Sequence, residues 1–239
     1  MYPLARFLSR CVFFFASLQW IHTRGKPDMK VPIMAVAPHS GFFDSLLVTY
    51  LNFVSVVGRA GADEVLLFGN LTKMTQPIIV ERDAHKSRLE SIKKIKDRVE
   101  SQEREGWSPV FLFVEGTCSN RKALIKYKAG AFVAGQPVQP VCIRYTTIGL
   151  GGHHMDTTSW TWEGPTWYKI VWLNFCQIHT SVEFHFLDVY QPSREERDNA
   201  ELFGENVRKL MANYLNVPLS NYSVIQSQDF YYKLKLYKF

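Results

Sequence analysis

The chain has 239 residues, a length that fits one large domain better than two complete ones. Hydrophobic residues make up 46% and charged residues 21%, a balance that excludes a disordered or fibrous chain. The net charge of +6 is too small to indicate nucleic-acid binding by itself, but it suits an anionic membrane surface or a phosphorylated substrate.

The N-terminal segment, residues 1–26, is rich in apolar and aromatic residues. Its run Cys11–Ile21 follows the basic residues Arg6 and Arg10 and contains three consecutive phenylalanines. The run is well short of the roughly 20 apolar residues that a membrane-spanning helix needs, and the bulky residues at its end do not fit a signal-peptide cleavage site. The pattern favours a membrane-associated helix, amphipathic or half-inserted, with a buried core helix as the alternative.

Strands alternate with helices along residues 27–222. We expect strands at Val31–Ala37, Ser55–Gly58, Pro77–Val80, Pro109–Val114, Pro140–Arg144 and Thr180–Val189. We expect helices at Phe42–Leu51, Ala62–Leu71, Ala84–Glu105 and Ser193–Tyr214. This alternation predicts an α/β domain with a central, mostly parallel sheet flanked by helices.

The aromatic residues of the C-terminal half leave alternatives open. The tryptophan-rich stretch from Trp160 to Trp172 fits either a core or an interfacial belt at a membrane surface. In the basic, aromatic tail, residues 223–239, lysines alternate with large apolar residues over Tyr231–Phe239. This stretch fits either a lipid-facing strand or a frayed terminus.

The four cysteines (Cys11, Cys118, Cys142, Cys176) are scattered and form no CxxC pair or zinc-spaced cluster with histidine. We therefore expect reduced thiols in a cytosol-facing protein and no metal site. No phosphate-binding loop, GxGxxG, HExxH, GxSxG or EF-hand motif occurs, so nothing in the sequence indicates a bound cofactor.

His39 and Asp44 follow the first predicted strand. The histidine lies just beyond Ala37, and the aspartate lies in the first turns of the next predicted helix. They can meet if His39 sits in the loop and its ring folds back, so that the carboxylate holds Nδ1 and leaves Nε2 free as a general base. The alternative is that Asp44 makes only local contacts and His39 is a surface loop residue.

Two further strands also end in polar residues, at the sheet edge where α/β proteins bind ligands. Glu115-Gly116-Thr117 follows one strand, and Arg121, close behind, has a guanidinium that can bind a phosphate. An ion pair between Glu115 and Arg121 is the alternative. Arg82 follows the other strand, and it fits either a phosphate contact or a solvated side chain.

Together these segments resemble the glycerolipid acyltransferase superfamily. His39–Asp44 matches its HxxxxD box, Glu115-Gly116-Thr117 matches its EGT core, Arg82 falls where its second block has an arginine, and Val138–Val141 resembles its fourth block. Longer stretches between Ala37 and Val217 look like lysophosphatidylcholine acyltransferases. Relatives of that branch often carry EF-hands, which this sequence lacks, so calcium regulation is not carried over.

The resemblance implies roles for these residues. His39 would take the proton of a lysophospholipid hydroxyl that attacks the thioester of acyl-CoA, a co-substrate, while Asp44 orients the ring. Glu115, Gly116 and Thr117 would shape the glycerol-phosphate pocket. Arg82 and Arg121 would bind the phosphate. Cys118, although it lies inside the EGT segment, would not be a nucleophile.

The expected function is therefore acyl-CoA-dependent re-acylation of a lysophospholipid, foremost lysophosphatidylcholine. Lysophosphatidic acid or glycerol-3-phosphate remains open as the acceptor, as does a lapsed enzyme that serves as a membrane lipid-binding or scaffolding protein. The expected partners are the two substrates and a membrane surface, and no nucleic acid. The expected location is the endoplasmic reticulum membrane, with the active site facing the cytosol, or a lipid droplet.

Overall fold

A computed structural model describes residues 2–15, 17–48, 51, 54–59, 73, 75–80, 85–148, 156–161 and 164–236. The strands are β1 (Trp20–Arg24), β2 (Ile33–Ala37), β3 (Ser55–Arg59), β4 (Ile78–Val80), β5 (Val110–Phe113), β6 (Val138–Ile148) and β7 (His179–Phe186). The helices are α1 (Tyr2–Phe15), α2 (Phe42–Leu47), α3 (His85–Glu105), α4 (Trp167–Phe175), α5 (Arg194–Asp198), α6 (Ala200–Leu215) and α7 (Val224–Leu236). The predicted helix Ala62–Leu71 lies outside the described residues.

The strands form one sheet in the order β1-β7-β6-β2-β5-β3-β4. Neighbours pair in parallel except β6 and β7, which are antiparallel. The predicted α/β fold with a mostly parallel sheet is therefore confirmed. Strand β2 lies between β5 and β6 and is buried along its whole length, which explains its uninterrupted apolar sequence.

Helices cover both faces of the sheet, and alternate residues of each strand point to opposite faces. Met34 and Val36 of β2 face a core that includes buried residues of α1, α2 and α4. Ile33 and Ala35 face a second core that includes buried residues of α3 and α6. The sheet is thus enclosed, and the loops at the carboxyl ends of β2 and β5 are left to form a site.

The predicted helix Ser193–Tyr214 is two helices. Its capping box is confirmed, because Ser193 and Glu196 each accept a hydrogen bond from the other's backbone N–H. At Asn199 the backbone is extended, with φ −130°, and the side chain accepts from Leu202 N as the N-cap of α6. An asparagine that caps the second helix therefore interrupts the predicted one.

The prediction of one helix through Cys11–Ile21 is wrong in its second half. Helix α1 ends at Phe15, Ser17 has a left-handed backbone with φ 65°, and Trp20–Arg24 pair with the edge of β7 as β1. Phe13 is buried, whereas Phe14 and Phe15 are exposed, so α1 contributes to the core and also presents apolar surface. No helix in the described residues is long and apolar enough to cross a membrane.

The lipid-facing strand expected over Tyr231–Phe239 is wrong for the described part of that stretch, because Val224–Leu236 form helix α7. Residues 237–239 lie outside the described residues. The tryptophan-rich stretch is divided, because Trp160 packs against the first core while Trp172 of α4 is 68% exposed. All four cysteines are free thiols, as predicted.

Candidate active site

His39 and Asp44 meet, as the resemblance to the HxxxxD box implies. His39 lies in the loop between β2 and α2, and its Nδ1 is 2.8 Å from Oδ2 of Asp44 in the first turn of α2. The same oxygen accepts the N–H groups of Ser40 (2.5 Å) and Gly41 (3.1 Å). Asp44 therefore has two structural roles: it accepts the N–H groups just before α2, and it holds the imidazole ring of His39 in place. With Nδ1 held, Nε2 is the ring nitrogen left for chemistry.

The surroundings of His39 favour its protonated form. Its ring stacks on Phe113, with ring centroids 3.8 Å apart, and it is 14% exposed, while Asp44 is fully buried. Burial by itself lowers the pKa of His39, but hydrogen bonds with Asp44 and Cys118 outweigh it. The pKa of His39 is raised to about 10 as a result.

Glu115 joins the EGT loop to the histidine loop. Its buried carboxylate accepts His39 N–H at 2.9 Å, the Ser119 hydroxyl at 3.2 Å and Ile125 N–H at 3.4 Å. In return, Ser119 N–H donates to the carbonyl oxygen of His39 at 2.6 Å. Burial raises the pKa of Glu115 to about 7, against the effect of these hydrogen bonds. The carboxylate contacts the backbone of His39, and it does not form the alternative ion pair with Arg121.

Gly116 and Thr117 form the turn after Glu115. The backbone of Gly116 is left-handed, with φ +67°, and a Cβ at this position would lie 2.8 Å from Nζ of Lys128. The backbone conformation favours a glycine here, whereas the flexible end of Lys128 could move away from a Cβ. Thr117 is half-buried. The turn thus brings the Lys128 side chain close to the backbone of Gly116.

Arg121 is oriented by four side chains. Its Nη2 is 2.6 Å from Oδ1 of Asp156, and its Nη1 donates to Oγ1 of Thr158 at 2.7 Å and to Oγ of Ser40 at 3.4 Å. The guanidinium also lies over the ring of Tyr145, 5.0 Å from its centroid. The predicted site residue Arg121 is therefore next to the histidine loop. Arg82 lies outside the described residues.

The structure adds residues that the sequence pattern did not reveal. The hydroxyl of Tyr145 donates a hydrogen bond to Oδ1 of Asp44. Trp160 N–H donates to the carbonyl oxygen of Ser40 at 2.6 Å, which attaches the segment that carries Asp156 to the histidine loop. The sequence pattern does not indicate Tyr145 as a site residue, because β6 extends beyond the predicted strand Pro140–Arg144. It does not indicate Asp156 either, because only the fold brings Asp156 to Arg121.

A buried His-Asp pair and an adjoining EGT loop at the ends of two parallel strands define an acyltransferase-type site. The chain belongs to the Acyltransferase family, whose sequence model matches residues 21–144.

The chain is similar to lysophosphatidylcholine acyltransferase 1 of Danio rerio, with 39% identity over 90% of this chain and 40% of the relative. The human protein of the same name is 37% identical over 92% of this chain and 40% of the relative. Lysophosphatidylcholine acyltransferase of Drosophila melanogaster is 40% identical over 90% of this chain and 39% of the relative. The chain thus spans about 40% of the length of these curated relatives.

Among solved structures, the chain is similar to the 1-acyl-sn-glycerophosphate acyltransferase PlsC of Thermotoga maritima. The TM-score is 0.56 at 17% identity, over 92% of this chain and 81% of that one. At this identity the similarity establishes the fold.

Proposed function

We propose that the chain catalyses acyl transfer from acyl-CoA to a lysophospholipid, with lysophosphatidylcholine as the preferred acceptor. The observation that carries the proposal is the 2.8 Å contact between His39 Nδ1 and the fully buried Asp44 carboxylate. A pair held in this way leaves Nε2 to act on a hydroxyl. The choice of acceptor rests on the names of the similar proteins.

In the proposed reaction, the acyl group passes directly from acyl-CoA to the lysophospholipid, with His39 and Asp44 as the catalytic pair. The lysophospholipid hydroxyl gives its proton to Nε2 of His39 as its oxygen attacks the thioester carbonyl carbon. The carbon–sulfur bond then breaks, and coenzyme A leaves as a thiol with the proton that His39 returns. Asp44 stabilises the imidazolium in between. No bound metal or prosthetic group takes part in this scheme, and acyl-CoA is a co-substrate.

The raised pKa of His39 has a consequence for general-base chemistry. Burial lowers this pKa, and Asp44 and the neighbouring Cys118 raise it beyond that effect. Because only the unprotonated ring can take a proton from the acceptor, we expect transfer to become faster as the pH rises towards this pKa.

A membrane surface is the expected location of this chemistry, because a lysophospholipid is an amphiphile. Exposed apolar residues of α1 support it, namely Leu4, Phe7, Leu8, Phe14 and Phe15. The exposed Trp172 and Phe175 of α4 extend from the same face of the sheet, since both helices pack on the first core. We place the protein at the endoplasmic reticulum membrane with the active site towards the cytosol.

An acceptor-by-donor activity panel tests this function. The purified chain is incubated in liposomes with several acyl-CoA donors and with lysophosphatidylcholine, lysophosphatidic acid or glycerol-3-phosphate, and products are identified by mass. We expect phosphatidylcholine to form fastest. Faster acylation of lysophosphatidic acid or glycerol-3-phosphate would refute the acceptor assignment, and no transfer to any acceptor would refute the function.

A further inference from the structure

The ion pair of Arg121 and Asp156 lies at the edge of the candidate active site. The two side chains meet at 2.6 Å and are 17% and 41% exposed. Arg121 also contacts Ser40, the residue that follows His39. We propose that this pair recognises a zwitterionic headgroup, with Arg121 on the phosphate of the acceptor and Asp156 on the cationic nitrogen beside it. The inference rests on the proposed function and names the residue that selects its headgroup.

Asp156 is held in place and stays charged. Its Oδ1 accepts the N–H groups of Thr158 and Ser159, at 3.1 and 3.0 Å, and the hydroxyl of Thr158 at 3.1 Å. Burial acts to raise the pKa of Asp156, but Arg121 and these hydrogen bonds lower it below the usual range. Because these hydrogen bonds and the ion pair with Arg121 all use Oδ1, and the side chain is 41% exposed, Oδ2 can accept a second cation.

Arg121 can contact a phosphate without leaving Asp156. Its guanidinium has more N–H donors than the contacts with Ser40, Thr158 and Asp156 use. The ring of Tyr145, 5.0 Å away, supports the guanidinium plane. A ligand that carries both charges can therefore join the existing pair.

The charges of the pair discriminate between acceptors. Arg121 and Asp156 together are neutral, so a phosphomonoester with a charge of about −1.5 to −2 is attracted by one and repelled by the other. A phosphodiester next to a quaternary ammonium carries one charge of each sign and matches the pair. The pair thus favours a zwitterionic lysophospholipid over lysophosphatidic acid.

The test compares two phosphodiester acceptors of one acyl chain, lysophosphatidylcholine and lysophosphatidylmethanol, which lacks the cation. Both are assayed with one acyl-CoA on the parent chain, on Asp156→Asn and on Asp97→Asn. Asparagine keeps the oxygen that accepts the loop N–H groups but removes the charge. Asp97 is exposed on α3, so its substitution removes the same charge from another surface.

We expect the parent chain to have a higher kcat/KM with lysophosphatidylcholine than with lysophosphatidylmethanol. Asp156→Asn should reduce the ratio of these two kcat/KM values about tenfold. Asp97→Asn should leave the ratio unchanged. Equal use of both acceptors by the parent, or an equal loss on both in Asp156→Asn, overturns the headgroup inference and leaves the acyltransferase function standing. Should Asp156→Asn fail to fold by circular dichroism, the parent ratio alone decides. A parent that acylates neither acceptor overturns the proposed function together with the inference.

Discussion

Replacing Tyr145 with phenylalanine removes one hydrogen bond from the His-Asp pair and keeps the ring beneath Arg121. Asp44 is fully buried, so water cannot replace the lost donor at Oδ1. A hydrogen bond to a charged group contributes about 1.5–3 kcal/mol. We expect the free energy of unfolding to fall by that amount.

The same substitution should also shift the pH dependence of acyl transfer in a defined direction. The Tyr145 hydroxyl stabilises the charge of Asp44, and without it the carboxylate favours the protonated form of His39 more strongly. The pKa of His39, already raised, should rise further. Because the base must be unprotonated, the acidic limb of kcat/KM should move to higher pH by about one unit, and kcat near pH 7 should fall about tenfold. The KM for acyl-CoA should change little.

The assay is a pH profile of acyl transfer for the parent, Tyr145→Phe and Tyr190→Phe. Tyr190 is a matched control, because its hydroxyl also donates to a carboxylate, Glu196 Oε1 at 2.6 Å, outside the candidate site. Its substitution should lower stability without moving the profile. A loss in Tyr145→Phe that is the same at every pH, or a shift to lower pH, would refute the reasoning.

Three further substitutions address the EGT segment. Cys118→Ala should retain transfer and move the acidic limb to lower pH, because the thiol raises the pKa of His39; loss of activity, with an acylated Cys118 in the parent by mass spectrometry, would contradict direct attack. Arg121→Ala should raise the KM for the phosphorylated acceptor more than for acyl-CoA, and an equal rise would argue against phosphate binding. Gly116→Ala should lower the free energy of unfolding by about 1–2 kcal/mol in denaturant titrations, because of its left-handed backbone; an unchanged midpoint would contradict this.

The sequence allowed the central sheet to be predicted, since its strands depend on local patterns. Strand β2, for example, is an uninterrupted apolar run. The contact between His39 and Asp44 was implied by the resemblance to the HxxxxD box, because their spacing alone also allows a surface-loop histidine; in the structure, the loop before α2 brings the His39 ring back to Asp44.

The remaining contacts of the site depend on chain segments that only the fold brings together. Tyr145 reaches Asp44 across 101 residues of sequence, and Glu115 reaches the backbone of His39 across 76. The end of α1 depends in the same way on β7, whose edge takes Trp20–Arg24 as a strand. An apolar run alone does not reveal that pairing, so the sequence pattern extends the predicted helix too far.

Acyl transfer by His39→Ala is the most direct test of general-base catalysis by the His-Asp pair. Release of coenzyme A and formation of labelled phosphatidylcholine are followed for the parent, His39→Ala and the control His22→Ala, whose residue is exposed on β1. General-base catalysis contributes about 10²–10⁴-fold. We predict a loss of that size in His39→Ala, with His22→Ala fully active. Because His39→Ala leaves the buried Asp44 carboxylate without its histidine partner, its thermal unfolding midpoint should fall, so circular dichroism must show that the variant is still folded at the assay temperature. Full activity in His39→Ala would contradict the proposed role of the histidine.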